Sequence, residues 1–191
     1  MERTLAALLL TLSPCFAFSE SNWYGSLFGG ANFLDFSSRD YQVDLRTGFA
    51  FSISAGYVFP SCLILEVEGS QRYNSIREAR FSEEPLTIDG HVSSTALLGN
   101  CLYTCKFFKP YLLSLTPYFG FGLGFVNNQV KLKNEIFHKK ATQNSFAAQV
   151  ILGLFKKINP YWDVSLEYRF FDSRLNAKEH TLGIKTIFYK S

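Results

Sequence analysis

Seven charged residues stand at alternate positions within runs that are otherwise apolar. Glu66, Glu68 and Arg72 interleave with Leu63, Leu65 and Val67; Asp163, Glu167 and Arg169 interleave with Trp162, Val164, Leu166, Tyr168 and Phe170; Lys185 follows Leu182 and Ile184 in the same rhythm. A period of two puts the charges on one face of a strand and the apolar side chains on the other. Four acids and three bases facing a common interior make ion pairing the first chemistry to consider, because charges withdrawn from water need partners. The set fits a plug of ion pairs that fills a narrow lumen; a narrow conducting pore is the alternative. A different chemistry is offered by His91-Val92-Ser93 with Asp89 nearby, where an imidazole and a hydroxyl share one strand face, as nucleophilic catalysis requires.

The elements that position these residues follow from the same alternation. In Pro117-Tyr-Phe-Gly-Phe-Gly-Leu-Gly-Phe-Val126, one parity carries Phe119, Phe121, Leu123 and Phe125, and the other carries Tyr118, Gly120, Gly122 and Gly124. A soluble sheet turns a polar face to water and seldom places three glycines there, since glycine weakens strands. The pattern suits a strand with its greasy side toward lipid and its bare side toward a crowded interior. Composition agrees: the 191 residues are 47% hydrophobic and 17% aromatic, with 20 Phe and 10 Tyr spread along the chain, which favours strands. The length is that of one domain. A net charge of +3, dispersed and without a basic helix or zinc spacing, gives no basis for nucleic-acid binding. The sequence contains no apolar run long enough for a helical membrane span, which excludes a helix but not a barrel.

Eight alternating segments of about ten residues, the length a tilted transmembrane strand needs, are read at Trp23–Phe33, Gly48–Phe59, Leu63–Tyr73, Val92–Tyr103, Pro117–Val126, Ser145–Leu154, Trp162–Phe171 and His180–Tyr189. The faces of the fourth are irregular and stay unassigned. Short turns at Pro60–Cys62, Thr104–Pro110 and Phe155–Tyr161 alternate with longer polar connections at Leu34–Thr47, Asn74–His91, Asn127–Asn144 and Asp172–Glu179. Outer-membrane barrels place turns at the periplasmic end and loops outside. Ahead of the first segment, Glu2-Arg3, the apolar Leu5–Leu12 and Ser13-Pro14 read as an export signal over residues 1–19, cleaved after Ala17 or Ser19. Residues 20–191 are then the barrel.

Four short stretches resemble the small eight-stranded outer-membrane barrels of the OmpA-like and opacity-type groups. Trp23-Tyr24-Gly25 through Gly30-Ala31-Asn32-Phe33 looks like their first strand, and Pro117-Tyr118 with Gly120, Gly122 and Gly124 like their fifth. Glu167-Tyr168-Arg169-Phe170 resembles the seventh, and Gly183 through Phe188 the last. Relatives usually end on an aromatic residue, whereas Phe188 is followed here by Tyr189-Lys190-Ser191. The resemblance implies an all-β, eight-stranded antiparallel up-and-down transmembrane β-barrel without an appended peptidoglycan-binding domain. It also implies attachment through loops as the family's expected work, with no cofactor and no metal.

Within that frame, Lys131, Lys133, His138, Lys139 and Lys140, against a single Glu135, form a basic loop suited to lipopolysaccharide phosphates or sulfated host glycans. Cys62, Cys101 and Cys105 gather at the periplasmic rim, an oxidising compartment. One bridge is expected from Cys62 to Cys105 or Cys101, with the remaining thiol open to an envelope partner. Two rival classes are carried forward: a lipid-modifying outer-membrane enzyme built on His91 and Ser93, and a soluble lipocalin-like carrier. The leading reading is a non-catalytic surface scaffold in a Gram-negative-type outer membrane, displaying four loops.

Overall fold

The computed structural model describes residues 22–36, 42–45, 47–81, 84–86, 89–105, 115–133, 138–173 and 177–189. The export signal and Glu135 lie outside them. Ten strands follow in order: β1 (Trp23–Phe36), β2 (Gln42–Leu45), β3 (Gly48–Val58), β4 (Leu63–Phe81), β5 (Glu84–Leu86), β6 (Asp89–Thr104), β7 (Thr116–Lys133), β8 (His138–Asn159), β9 (Trp162–Ser173) and β10 (Ala177–Tyr189).

Eight of these form a closed ring. β1 pairs with β3 and β10, and the remaining neighbours run β3–β4–β6–β7–β8–β9–β10, every pairing antiparallel. The seam between first and last strands is fully zipped, from Tyr24 opposite Tyr189 to Phe36 opposite Ala177. β2 and β5 are short additions to the far end of β4. The expected eight segments are the eight ring strands.

The alternation of the sequence becomes the inside and outside of the ring. Ile53, Val67, Leu97 and Phe125 are 58%, 61%, 61% and 72% exposed, an apolar belt that water would not tolerate at this density but lipid does. Glu68, Glu167, Arg169 and Lys185 are at most 1% exposed. Apolar outside and charged inside is the reverse of a soluble carrier, so the lipocalin-like reading is excluded. The fourth segment also acquires faces: Ser94, Ala96, Leu98, Asn100, Leu102 and Thr104 are buried in the lumen, while Thr95, Leu97 and Tyr103 point out. Its irregular appearance came from Leu98 and Leu102, apolar residues on the inner face. They belong to two small apolar clusters, Ala96, Leu98, Val126, Ala147 and Phe171 toward one end and Leu102, Tyr118 and Ile151 toward the other.

Several inner glycines are there because a ring lies against them. A Cβ on Gly56 would overlap the Tyr24 ring, and one on Gly153 would overlap Tyr118. The bare face of β7 likewise leaves room for Asn100 and Gln149, which a Cβ on Gly122 would strike.

The two ends of the ring differ. At one end Val58 and Leu63 are joined by a tight turn, closed by Phe59 N–H donating to the Leu63 carbonyl at 2.8 Å, with Cys62 in the left-handed region at φ 66°. β8 and β9 meet through a turn at Pro160-Tyr161. At the other end the long connections are not loops throughout. β4 continues to Phe81, β7 to Lys133, and β8 begins at His138, so Asn74–His91 and Asn127–Asn144 are largely strand. The reason is that backbone pairing needs no apolar face, and polar residues continue the ladder once it has been started below.

Ile53 sits midway along the outward run Phe49–Tyr57 and tests the lipid face directly. Ile53→Arg is expected to weaken folding into lipid vesicles by about 2–4 kcal/mol, and Phe49→Arg, nearer the rim, by about 0–1 kcal/mol. Equilibrium urea titrations in vesicles measure both.

Candidate functional site

The lumen is the densest concentration of chemical groups. β4 contributes Glu66 and Glu68, β9 contributes Glu167 and Arg169, and β10 contributes Lys185, each on the inward parity of its strand. Arg169 lies at the centre. Its Nη1 donates to Glu68 Oε1 at 3.0 Å and its Nε to Glu167 Oε2 at 2.7 Å. Lys185 Nζ is 2.6 Å from Glu66 Oε2 and 3.6 Å from Glu167 Oε1. Three carboxylates thus share two cations, and neutral donors make up the difference. Tyr24 Oη donates to Glu66 at 2.6 Å, Tyr118 Oη donates to Glu167, and Asn100 Nδ2 reaches both Glu66 and Glu68, at 3.1 and 2.9 Å.

Arg169 and Arg72 each also stack on one ring. The Arg169 guanidinium carbon is 3.6 Å from the Phe28 centroid, and that of Arg72 is 3.7 Å from the Phe171 centroid. A planar guanidinium can stack and hydrogen-bond at once, which an ammonium cannot.

Of the seven charges expected in the lumen, five meet directly in this network, Arg72 joins it through Gln149, which donates to Asn100 and Glu68, and Asp163 lies toward one end. Arg72 donates to Ser70 Oγ at 3.1 Å and to Gln149 Oε1 at 3.4 Å. Asp163 is near the short-turn end, where Tyr189 Oη donates to it at 2.9 Å. Sequence reasoning missed Glu179, placed in a connection but in fact buried on β10; it accepts from Asn32 Nδ2 at 2.7 Å and Ser94 Oγ at 3.3 Å. The two tyrosine donors were missed as well. Parity with Lys185 was the signal that would have found Glu179; Tyr118 was already on the inner parity with Gly120, but nothing within its strand marks it as a donor to Glu167.

The other candidate groups are dispersed. Lys131 and Lys133 are on β7, and His138, Lys139 and Lys140 on β8, so the expected basic loop is a basic hairpin. His91 and Ser93 do share the outer face, but two residues along a strand separate them by about 7 Å, and the imidazole is stacked on Tyr73 at 5.2 Å between centroids. The expected nucleophile–base contact is therefore not formed. The three thiols are unbonded, so the bridge is not present in this structure. Cys101 pairs with Leu65, three positions or about 10 Å along β4 from Cys62, beyond disulfide reach. Cys105 follows Thr104, whose N–H donates to the Cys62 carbonyl at 2.9 Å, and is the nearer of the two.

A closed antiparallel ring, lipophilic outside and packed with paired charges inside, defines a transmembrane β-barrel. The chain belongs to the outer membrane protein beta-barrel domain family, whose model matches residues 4–188. Among solved structures it is similar to Neisserial surface protein A (NspA), with 19% identity over 89% of this chain and 98% of that one, and a TM-score of 0.59. The attachment invasion locus protein Ail of Yersinia pestis, solved with the heparin analogue sucrose octasulfate, gives 15% identity, 90% and 100% coverage and a TM-score of 0.60. OprG of Pseudomonas aeruginosa gives 11%, 90%, 99% and 0.54. At these identities the likeness is one of fold. A comparison with curated protein sequences finds no match.

Arg169 is the residue whose loss should be felt most. Arg169→Met strands Glu68 and Glu167 and is expected to cost about 3–5 kcal/mol, while Arg169→Met with Glu167→Met recovers a large part of it. A double-mutant cycle in urea, read from barrel unfolding in detergent micelles, checks this. Because Arg169, Lys185, Gln149, Glu68 and Glu167 are among the most buried side chains, planar-bilayer recordings should give no steady porin-like current; a sustained open level would contradict a sealed lumen.

Proposed function

We propose that this protein is exported by residues 1–19, with cleavage after Ala17 or Ser19. It then acts in the outer membrane of a Gram-negative-type bacterium as a non-catalytic surface scaffold whose outward hairpins meet ligands. The observation that carries this reading is the asymmetry of the ring. The first and last ring strands start and finish beside the short turns, with Tyr24 opposite Tyr189 and Trp23 opposite Tyr57, whereas β4 and β7 run past the apolar belt at the other end, where β8 begins at His138. An even-stranded barrel returns its termini to the periplasm, so the long hairpins stand outside. Rigid strands that carry polar residues well clear of the membrane hold a binding surface in place without a lid or a second domain.

The β7–β8 hairpin is the strongest candidate for such contact, because its outer half combines Lys131, Lys133, His138, Lys139 and Lys140. The sulfated sugar bound to Ail is the kind of polyanion this composition would attract. With the lumen filled and His91 engaged with Tyr73, the chemistry favours attachment over turnover.

Display of the protein on a non-adherent bacterium, intact or with residues 129–142 replaced by a two-residue turn, provides the test. Retention on heparin-coated surfaces is expected to fall roughly tenfold on trimming, equivalent to ~1.4 kcal/mol of contact. Equal retention of the two would remove the attachment reading while leaving the barrel intact.

A further inference from the structure

Cys62 occupies a backbone position that its residue type does not favour. Among the described residues it alone has a positive φ, 66°, a left-handed conformation that turns ordinarily give to glycine because a Cβ is crowded there. An outlier of this kind points to a use for the side chain, and the side chain here is a thiol.

The β4–β6 ladder brings a second thiol to the same turn. The last register pair is Leu63 opposite Tyr103, and the ladder goes one rung further. The Thr104 N–H donates to the Cys62 carbonyl at 2.9 Å, and Thr104 Oγ1 donates to the same oxygen at 3.2 Å. Cys105 is the next residue, pinned by its own N–H donating to the Pro117 carbonyl at 2.8 Å. Paired Cα atoms across an antiparallel ladder are about 4.5–5.5 Å apart and one step along a strand is about 3.4 Å, which puts the Cα atoms of Cys62 and Cys105 about 6 Å apart. Disulfides span roughly 4.4–6.8 Å between Cα atoms. Diagonal neighbours on a regular ladder point to opposite faces, but neither residue is held to that rule. The left-handed φ breaks the alternation at Cys62, and β6 ends at Thr104. Both thiols are half-buried and free.

Cys101 is a different case. It lies within β6, between Leu65 and Phe121, which are exposed on the lipid-facing wall. It is out of reach of Cys62 and, four residues or about 13 Å along one strand, of Cys105. Thiol–disulfide exchange needs access, and lipid at that level keeps water-borne oxidants away.

We propose that Cys62 and Cys105 are a site of oxidative modification, a disulfide that staples the β3–β4 turn to the end of β6, and that Cys101 stays reduced. The oxidant is an envelope thiol–disulfide oxidoreductase. One thiolate attacks the enzyme's disulfide to give a mixed disulfide, and the other displaces the enzyme's thiol. The products are the Cys62–Cys105 bridge and a reduced enzyme dithiol, which has taken up two electrons and two protons. The bridge restricts the unfolded chain and holds β4 to β6 where the ladder ends. The proposal rests on the outer-membrane orientation that puts the short turns in the periplasm.

Two measurements test it. In the first, exported protein is acid-quenched in the envelope, denatured and alkylated with iodoacetamide, and its peptides are mapped by mass spectrometry before and after reduction. A linked peptide joining Cys62 to Cys105 is expected, with Cys101 alkylated roughly tenfold more than either. Cys62→Ser should raise alkylation of Cys105 to the level of Cys101, and Cys101→Ser should leave the linked peptide unchanged. In the second, the full mature chain folded in detergent is equilibrated with reduced and oxidised glutathione, which tests the geometry without the compartment, and the same linked peptide should form. No bridge in glutathione, a bridge that includes Cys101, or a Cys105-linked dimer in its place overturns the proposal. A bridge in glutathione with three free thiols in the envelope overturns the periplasmic placement of this rim and leaves the geometry of the pair standing. The heat-dependent gel shift of each variant reports whether the barrel has formed, so loss of the bridge is separable from loss of the fold.

Discussion

Closure of the β1–β10 seam is the constraint on which the rest of the structure depends. Lipid offers no hydrogen-bond partners, so a sheet that crosses it cannot leave an open edge. The continuous pairing from Tyr24–Tyr189 to Phe36–Ala177 removes that edge, and each ring strand thereby has two partners. Once closed with only eight strands, the ring has an interior too narrow for bulk water and wide enough for side chains. Every inward residue must then find its partner across the lumen.

The charged interior follows from that narrowness. Arg169 on β9 reaches Glu68 on β4, and Lys185 on β10 reaches Glu66, so the same contacts that neutralise buried charge also tie opposite walls together. Buried ion pairs are weak contributors to stability against an apolar replacement but costly to break one partner at a time. They therefore act here more as a specification of register than as a source of strength. A one-residue slip of β4 would turn Glu66 toward the bilayer, and one of β9 would turn Arg169 there. The outward side carries a second record of the membrane, apolar through the belt and then polar and basic along β6–β8, and the hairpins simply continue the strands into water.

Where reading of the chain fell short, the cause was distance in sequence. Alternation showed that Glu66, Glu68, Glu167, Arg169 and Lys185 face inward, but not that Arg169 would choose Glu68 and Glu167 while Arg72 lies with Gln149 and Phe171. Glu179 was hidden because polar residues beside it looked like a loop, and polarity does not end a ladder. The basic residues from Lys131 to Lys140 were recognised as a cluster, yet their arrangement into rows depends on pairing between β7 and β8. The cysteine expectation failed at Cys101 for the same reason: shared location at a rim is not shared register.

The sequence by itself determined the number of ring strands, the inward and outward faces of six of the eight, and the end at which the hairpins are long. Each of these is local, set by period-two alternation and by the lengths between segments. Only the tertiary structure decided the partners: which carboxylate meets which cation, which glycine yields to Tyr24 or Tyr118, and which polar rows align on the outer wall. Those outcomes depend on stagger and closure, which bring together residues more than a hundred positions apart, such as Lys185 and Glu66, and no periodicity within a single strand encodes them.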